Sequence, residues 1–307
     1  MLGPEYVAAI DLGSNSFHLV IMKHENKKLT SVDCRRELVR LAAGISNGRI
    51  NKETKTRALR CLAHFHDHLK SLPNVSIAAV GTSAFRRIYN DPSFIAEAER
   101  ALHHPIRIIS GDDEARYIYL GVSQNEADRS RLVLDIGGGS TELIVGKGRQ
   151  PQVLTSLEIG CVTLTAQFLD YDTLSEAQLV ECMDYVDQQL DSVMPLFKDL
   201  SWQEAIGSSG TIKAINWAMT NLHIAETGTI HRDQLDRLLP VLTQADSQRQ
   251  LSQLLELSPR RISVFAAGYV IAHRIFHRFD IKELRLSPRA IREGLIEELI
   301  SPPEPVT

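Results

Sequence analysis

The sequence predicts an α/β protein made of two structurally similar halves. Two glycine-rich turns carry this prediction, Asp11–Ser16 near the start of the chain and Asp135–Thr141 near its middle. Each turn lies between two apolar runs, which is the pattern of a buried strand, a tight turn and a second strand. A third loop of small residues, Gly207–Thr211, follows further along. Glycines let backbone N–H groups approach an anion closely, so the paired turns indicate two halves that hold a polyanion between them.

The first half is predicted to contain five strands and three helices. The predicted strands are Tyr6–Ile10, Phe17–His24, Lys28–Arg35, Val75–Val80 and Ile106–Ile109. A helix is expected over Lys52–Leu72, because apolar residues recur there at helical spacing and Asn51 can cap its first turn. Asp91 followed by proline predicts a second helix, Pro92–His103. Asp112–Glu114 then place negative charge at the start of a third helix, where the helix dipole favours it.

The same pattern is repeated in the second half. Its predicted strands are Arg131–Leu134, Glu142–Val145, Gln152–Leu157, Glu204–Ile206 and Leu284–Ser287. Ser175–Gln178 form a capping box for a long helix that ends near Pro195. One helix follows Gly207–Thr211, and the last is Arg292–Ile300. Between them, Ser258–Pro259 are expected to cap a helix whose apolar face reaches from Ile262 to Phe279.

This repeat predicts two domains, residues 1–127 and 128–307. The join is placed in the polar stretch Asn125–Arg129, since no clean linker separates the halves. The last helix is expected either to stay with the second domain or to pack back on the first.

Bulk properties exclude several classes of protein. The net charge of −4 over 307 residues argues against a general nucleic-acid binder, but it leaves an anionic substrate open. No apolar stretch is long enough to span a bilayer, and the first ten residues lack the features of a signal peptide, so we expect a cytoplasmic protein without a membrane partner. The four cysteines are too widely scattered for a zinc or redox motif and are expected to be reduced, structural thiols.

Six stretches of the sequence carry a resemblance to a known family. They are AAIDLGSNSFHLVI, VGTSAFRR, IISGDDEAR, LDIGGGSTELIVG, GSSGTIKAI and LRLS followed by IREGL, and they extend from Ala8 to Leu295. In these stretches the chain resembles the exopolyphosphatase and guanosine pentaphosphate phosphohydrolase family. The resemblance implies two ribonuclease-H-like domains of the actin, sugar-kinase and chaperone-ATPase superfamily, with an interdomain cleft. Longer family members carry an extra C-terminal helical domain, and this chain resembles a short form without it.

The resemblance also implies a reaction, the release of a terminal phosphate from inorganic polyphosphate or guanosine pentaphosphate with Mg²⁺ or a similar divalent cation. Such a reaction requires anion binding, charge neutralisation and a positioned water molecule. The turns are expected to provide the first of these. The predicted phosphate-binding residues are Gly13, Ser14, Asn15, Ser16, Arg86, Gly137, Gly138, Gly139, Ser140, Thr141, Gly207, Ser208, Ser209, Gly210, Thr211 and Lys213.

Two of these predictions concern long cationic side chains. Arg86 follows a strand end, its planar guanidinium suits a pair of phosphate oxygens, and relatives have an arginine here in the phosphate channel. Lys213 follows the third loop, where a distal phosphate contact and a solvated helix lysine are equally open.

Asp135 and Glu142 are the predicted metal ligands. Asp135 ends one strand and Glu142 begins the next, so both carboxylates can face the mouth of the cleft. Carboxylate and phosphate oxygens suit Mg²⁺, and the resemblance places metal contacts at these two positions. Asp11 is the counterpart in the first half; it either holds water around the metal or only fixes its loop.

Glu114 is the predicted catalytic residue. It lies at the start of a helix after a buried strand, where a carboxylate can accept a proton from an attacking water molecule. The resemblance places the catalytic glutamate at this position. Asp112 and Asp113 are adjacent alternatives that also fit simple helix-start charges.

One stretch departs from the family pattern. The family usually has an acidic residue after the serine that corresponds to Ser287, whereas this chain has Pro288 and Arg289. The departure bears on substrate preference more than on chemistry. Together with Arg86 and Lys213, the arginines Arg289 and Arg292 are candidates for a basic lining along a long polyphosphate.

Two histidine groups have helical spacing without further metal-site signals. His64 and His68 share one helix face, and His273 and His277 repeat the same spacing. Neither pair has the glutamate of a zinc-protease helix, so ordinary surface or half-buried histidines are expected.

Two alternatives to a hydrolase stay open from the sequence. An ATP-dependent phosphotransferase of the sugar- or acetate-kinase type would share the fold and the paired turns, and a non-catalytic nucleotide-gated module would share the fold. Between the two hydrolase substrates, polyphosphate is modestly preferred. A homodimer is also kept open, since most soluble oligomers are symmetric dimers.

Overall fold

The computed structural model describes residues 4–25, 28–124, 128–169, 174–245 and 248–301. Its strands are, in chain order, β1 (Tyr6–Leu12), β2 (Ser16–Glu25), β3 (Lys28–Leu38), β4 (Ile45–Ser46), β5 (Arg49–Ile50), β6 (Val75–Gly81), β7 (Arg107–Ile108), β8 (Ser130–Ile136), β9 (Thr141–Lys147), β10 (Gln150–Leu157), β11 (Glu204–Ser208), β12 (Thr229–His231) and β13 (Glu283–Leu286). Its α-helices are α1 (Lys52–Leu69), α2 (Ser83–Arg86), α3 (Pro92–Leu102), α4 (Gly111–Val122), α5 (Cys161–Phe168), α6 (Glu176–Phe197), α7 (Ser209–Asn221), α8 (Arg232–Asp236), α9 (Leu239–Thr243), α10 (Gln248–Leu255), α11 (Pro259–Ile262), α12 (Phe265–Arg278) and α13 (Ile291–Ile300).

These elements form two compact units. The first lies within Met1–Gly121 and Ile291–Thr307, and the second within Val122–Ala290. The first unit includes α13, which contacts β1 and β6. The predicted domain boundary between residues 127 and 128 adjoins residues 125–127, which lie outside the described residues, so that boundary stays a prediction.

Each unit is built on a mixed sheet, and the two sheets repeat one topology. The first has the strand order β3-β2-β1-β6-β7 and the second the order β10-β9-β8-β11-β13-β12. In both, the first three strands form an antiparallel meander and the next two lie parallel to its innermost strand. The second sheet adds β12 at its edge, antiparallel to β13. The α/β class and the internal repeat predicted from the sequence are confirmed.

The parallel strands decide where loops can bind a ligand. In the first unit β1, β6 and β7 run the same way, so the loops that follow them emerge at one edge of the sheet. In the second unit the same is true of β8, β11 and β13. In α/β sheets ligands bind at the carboxyl ends of parallel strands. We refer to these two loop-bearing edges as the carboxyl edges of the two sheets.

The predicted helix caps at Asn51, Asp91 and Ser175 are confirmed, whereas Ser258 precedes α11 without a capping hydrogen bond from its side chain. The Asn51 side chain accepts a hydrogen bond from the backbone N–H of Thr54 at 2.9 Å, and Asp91 accepts one from Phe94 at 3.2 Å. Ser175 and Gln178 form the expected reciprocal capping box at the start of α6. Each cap satisfies a donor that the first helical turn would otherwise leave without a partner.

The single helix predicted over Ser258–Phe279 is wrong, because the structure divides it into α11 and α12. Val264, between them, has φ −129° and ψ 5°, which lies outside the helical region, and the backbone ladder starts again with the N–H of Gly268 donating to Val264. Apolar spacing continues through the break, so the pattern alone could not reveal it. The sequence patterns also did not predict β4, β5, α2, α5, β12 and α8–α10.

Helix α12 is the centre of the second core. It contacts α5, α6, α7 and α8, and every residue in Phe265–His273 is buried.

Three of the four cysteines are buried, and burial raises the pKa of Cys182 to about 12. Cys34 is exposed. Within the described ranges, no helix is both long and apolar enough to cross a membrane.

Helix α13 is fixed to α4 and β7 by close packing and by a small polar network. A Cβ on Gly294 would overlap the backbone oxygen of Tyr117, so only glycine fits there. The Tyr117 hydroxyl donates to Glu298 at 2.6 Å, and Arg107 donates to both the Tyr117 oxygen at 2.7 Å and Glu298 at 2.9 Å. Burial, followed by the hydrogen bond to Glu298, raises the pKa of Tyr117 to about 12.

Replacing Gly294 by alanine tests this packing. Alanine normally stabilises a helix interior by about 1 kcal/mol over glycine, but the overlap with Tyr117 should reverse the sign and lower the free energy of unfolding by roughly 2 kcal/mol. Chemical denaturation measures it. Thr56→Ala, on the exposed face of α1, is the control and should change stability by less than about 0.5 kcal/mol. A stabilised Gly294→Ala protein would contradict the packing.

Tyr117→Phe tests the polar network through its pH dependence. The raised pKa means that the folded state retains the phenol proton between pH 10 and 12, where the unfolded chain releases it. Tyr117 therefore contributes stability that is complete below about pH 10 and is lost as the pH rises toward 12. Between pH 8 and 11 the wild-type protein should lose about 1 kcal/mol more than Tyr117→Phe. Parallel pH curves for the two proteins would show that the pKa is not raised.

Candidate active site

The first glycine turn connects β1 to β2 at the carboxyl edge of the first sheet. The carbonyl of Asn15 accepts hydrogen bonds from Val39 and Arg40, and the carbonyl of Ser14 accepts one from Ala42. In a trans peptide the N–H points opposite to the C=O. The N–H groups that follow these two carbonyls therefore point away from the segment that contains residues 39–42, as an anion-binding turn requires.

Asp11 is the next-to-last residue of β1, just before this turn, and lies next to His18 of β2. The two residues are directly opposite in the β1–β2 register, and their side chains approach to 3.8 Å between a carboxylate oxygen and Nδ1. Both are mostly buried, with side-chain exposures of 15% and 23%. Asp11 thus has a histidine, not a second carboxylate, as its cross-strand neighbour.

Arg86 and Glu114 meet at the same edge. Arg86 is the last residue of α2, just after β6, and Glu114 lies in the first turn of α4, just after β7. The Nη1 group of Arg86 donates to Glu114 Oε2 at 2.9 Å and to the backbone oxygen of Ile109 at 3.2 Å. The side-chain exposures are 20% for Arg86 and 11% for Glu114. A guanidinium that is itself anchored to the backbone therefore fixes the carboxylate of Glu114.

The structure distinguishes Glu114 from the two acidic residues before it. Asp112 and Asp113 are exposed, whereas Glu114 is buried. Asp113 accepts a hydrogen bond from the Ser110 hydroxyl at 2.7 Å, and its own N–H donates to that hydroxyl at 3.0 Å. Asp113 therefore stabilises the first turn of α4, whereas Glu114 is buried and its carboxylate is oriented by Arg86.

The second glycine turn connects β8 to β9 and packs against the first turn of α5. The N–H of Cys161 donates to Gly137 at 3.0 Å, and the N–H of Val162 donates to Gly138 at 2.9 Å. With these carbonyls facing α5, the N–H groups of Gly138 and Gly139 point the other way. A Cβ on Gly160 would overlap the backbone of Gly138 and Gly139, so a glycine before α5 is what allows this close contact.

A row of four polar side chains crosses the second sheet at its carboxyl edge. Asp135 and Glu142 are directly opposite on β8 and β9, Ser156 is opposite Glu142 on β10, and Ser208 is aligned with Asp135 on β11. Residues that are opposite in register share one face of a sheet. Ser156 donates to Glu142 at 2.8 Å, and Ser208 donates a short hydrogen bond to Asp135. We call Ser156, Glu142, Asp135 and Ser208 the carboxylate row.

The carboxylate row fits a hard divalent cation. Asp135 is 8% exposed and Glu142 is 1% exposed. Burial of a carboxylate disfavours its charged form, and a bound cation would offset that cost for both at once. Two carboxylates on one sheet face, each oriented by a serine, offer the oxygen ligands that Mg²⁺ prefers.

The carboxyl edges of the two sheets have the same backbone pattern but carry different side chains. In both sheets a four-residue loop separates the last paired residues, Leu12 with Phe17 and Ile136 with Thr141. The internal repeat therefore matches β1, β2, β3 and β6 with β8, β9, β10 and β11. At the row positions the first half has Asp11, His18, Arg36 and Val80, where the second has Asp135, Glu142, Ser156 and Ser208.

Within the described residues, three of the predicted phosphate-binding hydroxyls already donate to other partners. Thr211 donates to the sulfur of Cys161 at 3.7 Å. Thr141 is fully buried and donates to the backbone oxygen of Ile159 at 2.6 Å. Ser208 donates to Asp135, as part of the carboxylate row. Ser14, Ser16 and Ser140 are also buried, and Ser16 accepts from Arg36 at 3.3 Å.

The third loop predicted from the sequence, Gly207–Thr211, is instead the end of β11 and the first turn of α7, at the carboxyl edge of the second sheet. It contacts Arg261, which was not selected from the sequence. Arg261 donates to the backbone oxygen of Gly210 at 3.0 Å, and its burial lowers the pKa of the guanidinium. Ser209 has φ +82°, a conformation that residues with a side chain rarely adopt. The junction of β11 and α7 thus contains a strained residue, and Arg261 of α11 bonds to the residue that follows it.

The remaining basic candidates have local partners. Lys213 is exposed and donates to the backbone oxygen of Pro288 at 3.4 Å. Arg289 donates to the backbone oxygen of Gln124 at 2.5 Å. Arg292, in the first unit, approaches the sulfur of Cys34 at 4.0 Å. Arg86, the fourth cation proposed for a basic lining, is paired with the predicted catalytic residue Glu114.

Four residues around these loops were not selected from the sequence. Ser156, His18, Arg261 and Gly160 act through contacts that depend on strand register or on the path of a distant helix. For His18, the matching position of Glu142 in the second half is a signal that an alignment of the two turns reveals. The sequence around Ser156 offers no comparable signal.

Known proteins share this architecture. An exopolyphosphatase from Cytophaga hutchinsonii has a crystal structure that matches with a TM-score of 0.86 and 26% identity, covering 96% of this chain and 98% of that one. The Ppx/GppA enzyme of Aquifex aeolicus matches with a TM-score of 0.79 and 26% identity, over 95% and 99% of the two chains.

Relatives at higher identity also cover most of this chain. A Haemophilus influenzae protein named "Putative exopolyphosphatase" is 36% identical over 296 residues, which cover 95% of this chain and 91% of that protein. The guanosine-5'-triphosphate,3'-diphosphate pyrophosphatase of Aeromonas hydrophila is 38% identical over 297 residues, covering 95% of this chain and 59% of the relative. The chain thus spans less than two thirds of the pyrophosphatase. The Ppx/GppA phosphatase family pattern matches residues 20–301, and the chain belongs to this family.

Proposed function

We propose that this protein is a metal-dependent hydrolase that releases the terminal phosphate from inorganic polyphosphate, from guanosine pentaphosphate, or from both. The observation that carries the proposal is the buried Glu114 carboxylate, fixed by Arg86 at the carboxyl edge of the first sheet. A buried carboxylate with a defined orientation at the ligand-binding edge of an α/β sheet is suited to general-base catalysis.

In the proposed reaction Glu114 activates the attacking water molecule. The water oxygen forms a bond to the terminal phosphorus while the bond from that phosphorus to the bridging oxygen breaks. The bridging oxygen leaves with the shortened substrate, and Glu114 accepts the proton that the water loses. Arg86 orients the carboxylate through Nη1 and offers its guanidinium to a phosphate oxygen.

The glycine turns are proposed to bind the substrate phosphates. The direction of the N–H groups after Ser14 and Asn15, and of those of Gly138 and Gly139, supports this role. Thr141 and Ser208 would contribute by holding the loop and the carboxylate row, since their hydroxyls donate elsewhere.

Asp135 and Glu142 are the proposed ligands of Mg²⁺ or another divalent cation. When bound, such an ion neutralises phosphate charge that develops during hydrolysis. Ser156 and Ser208 would orient the two carboxylates as outer partners. Asp11 has His18 beside it, which supports a role in fixing its own loop.

The choice of substrate follows from the names of the relatives. One is named an exopolyphosphatase and others are named guanosine-5'-triphosphate,3'-diphosphate pyrophosphatases, so both substrates belong to the proposal. A phosphotransferase of the kinase type is not favoured, because these relatives are named as hydrolases. A cytoplasmic location and a symmetric homodimer are proposed with it on general grounds.

Glu114→Gln tests the catalytic role. The substitution keeps the size of the side chain but removes its basicity, and we expect kcat for phosphate release to fall by about 10²- to 10⁴-fold with little change in folding. Phosphate release is measured in parallel from long-chain polyphosphate, guanosine pentaphosphate and ATP, each with Mg²⁺.

Asp112→Asn is the matched control for Glu114→Gln. It removes the same charge from the same helical turn at an exposed position, and its activity should stay within about twofold of the wild type. Unchanged phosphate release by Glu114→Gln would overturn the mechanism. ATP turnover that requires an added acceptor would instead indicate a phosphotransferase.

Glu142→Gln tests the carboxylate row as a metal site. The amide keeps an oxygen that can accept from Ser156 but has no charge, so the Mg²⁺ concentration that gives half-maximal activity should rise by about tenfold or more. Glu283→Gln, exposed on β13, is the control and should not change it. If both variants require the same Mg²⁺ concentration as the wild type, Glu142 is not a ligand.

A further inference from the structure

A second cluster of potential metal ligands lies away from the glycine turns, on α8 and α12 of the second unit. His273 and His277 are four residues apart on α12, so their imidazoles share one face of the helix. The sequence gives this pair no further ligand. The structure adds Asp236, the last residue of α8, which faces both rings.

The three ligand groups already converge. Asp236 Oδ1 lies 2.8 Å from Nε2 of His277 and 3.3 Å from Nε2 of His273, and the two ring centroids are 4.5 Å apart. One ligand atom from each residue can be chosen so that all lie within 4.8 Å of one another. In a tetrahedral zinc site with bonds of about 2.0–2.2 Å, ligand atoms are about 3.3–3.6 Å apart. Small side-chain adjustments would therefore complete such a site.

One ligand of the cluster is buried in the packed core and the other two are partly exposed to solvent. The His273 side chain is 9% exposed, in the well-packed part of α12, while those of His277 and Asp236 are 36% and 42% exposed. Tyr269, one turn before His273, donates to the backbone oxygen of Leu235 and so connects α12 to the end of α8. A cation could enter from solvent and meet a preformed inner ligand, with water filling the remaining position.

The two ring nitrogens of His273 have different surroundings. Its Nε2 faces Asp236, and the ring lies beside those of Tyr269 and His277. Its Nδ1 has no hydrogen-bond partner among the described residues. The single proton of the neutral ring can therefore reside on Nδ1 without breaking a hydrogen bond there. The lone pair of Nε2 is then available to a cation.

We propose that Asp236, His273 and His277 form a binding site for one divalent cation of the late first-row metals, with Zn²⁺, Co²⁺ and Ni²⁺ as the ions that fit. Imidazole nitrogens select these ions, whereas Mg²⁺ prefers oxygen ligands. The site shares no residue with the carboxylate row. It binds α8 to α12, and its expected consequence is a stabilised second unit.

The chain carries its own control in His64 and His68. These histidines have the same spacing on α1, but each lies 3.4 Å from a different carboxylate, Glu37 for His64 and Asp33 for His68. Among the residues that the structure describes, this ring pair therefore shares no third ligand. If helical histidine spacing alone were enough, this pair would bind metal as well as the proposed site does.

The test is a titration with Co²⁺, whose ligand-field absorption in the visible range reports coordination. The purified full chain is first treated with a chelator, and binding is then measured for the wild type, His277→Gln, Asp236→Asn and the double variant His64→Gln/His68→Gln. We expect one tight Co²⁺ per wild-type chain, displaced by Zn²⁺ but not by excess Mg²⁺. His277→Gln and Asp236→Asn should each weaken binding by about tenfold or more, as loss of a ligand requires, and the double variant should bind as the wild type does.

The replaced residues His277 and Asp236 are partly exposed, so circular dichroism should show folded variants, and a thermal melt with and without Zn²⁺ gives a second readout. Zn²⁺ should raise the Tm of the wild type and of the double variant but not of His277→Gln. Absence of Co²⁺ binding by the wild type would show that the triad is only a hydrogen-bonded cluster. Binding that is lost in the double variant, or unchanged in His277→Gln, would also overturn the proposal. None of these readouts depends on phosphate release, so they stand apart from the test of the hydrolase.

Discussion

The parallel pairing at the centre of each sheet is the constraint on which the rest of the structure depends. In the first sheet β1 pairs with β6 in parallel, and in the second sheet β8 pairs with β11 in parallel. Within each sheet, the loops that follow these strands therefore emerge at the same edge of that sheet. Residues far apart in the chain thereby become neighbours, and Asp135 and Ser208 bond across 73 positions of sequence. If either pairing shifted by one residue, the polar side chains would turn to the other face of the sheet. Strand register is thus as important to this edge as the identity of its residues.

Features set by local chemistry could be predicted from the sequence, and features set by register or long-range packing could not. The turns, the caps at Asn51 and Asp91 and the alternation of strands and helices depend on near neighbours, so the chain displays them directly. The break at Val264 and the third ligand at Asp236 depend on where separate helices meet. Apolar spacing carries no information on either of them.

The candidate residues show the same division. Glu114 could be selected from its position at a helix start, but the sequence alone could not separate it from Asp112 and Asp113. Burial and the anchored guanidinium of Arg86 make that distinction. Ser156 was not selected from the sequence, and Ser208 was selected as a phosphate contact and not as a partner of Asp135. Their hydrogen bonds cross strands whose relative alignment no single segment determines.

The matched edges of the two sheets have a consequence for protein engineering. The backbone around Asp11 is equivalent in register to the backbone around Asp135, and the chemical difference lies in the neighbouring side chains, above all His18 in place of Glu142. The scaffold is therefore modular: one repeated frame holds two different sets of functional groups. Side chains exchanged between equivalent positions could be compared within one chain, in which the unmodified half serves as an internal reference.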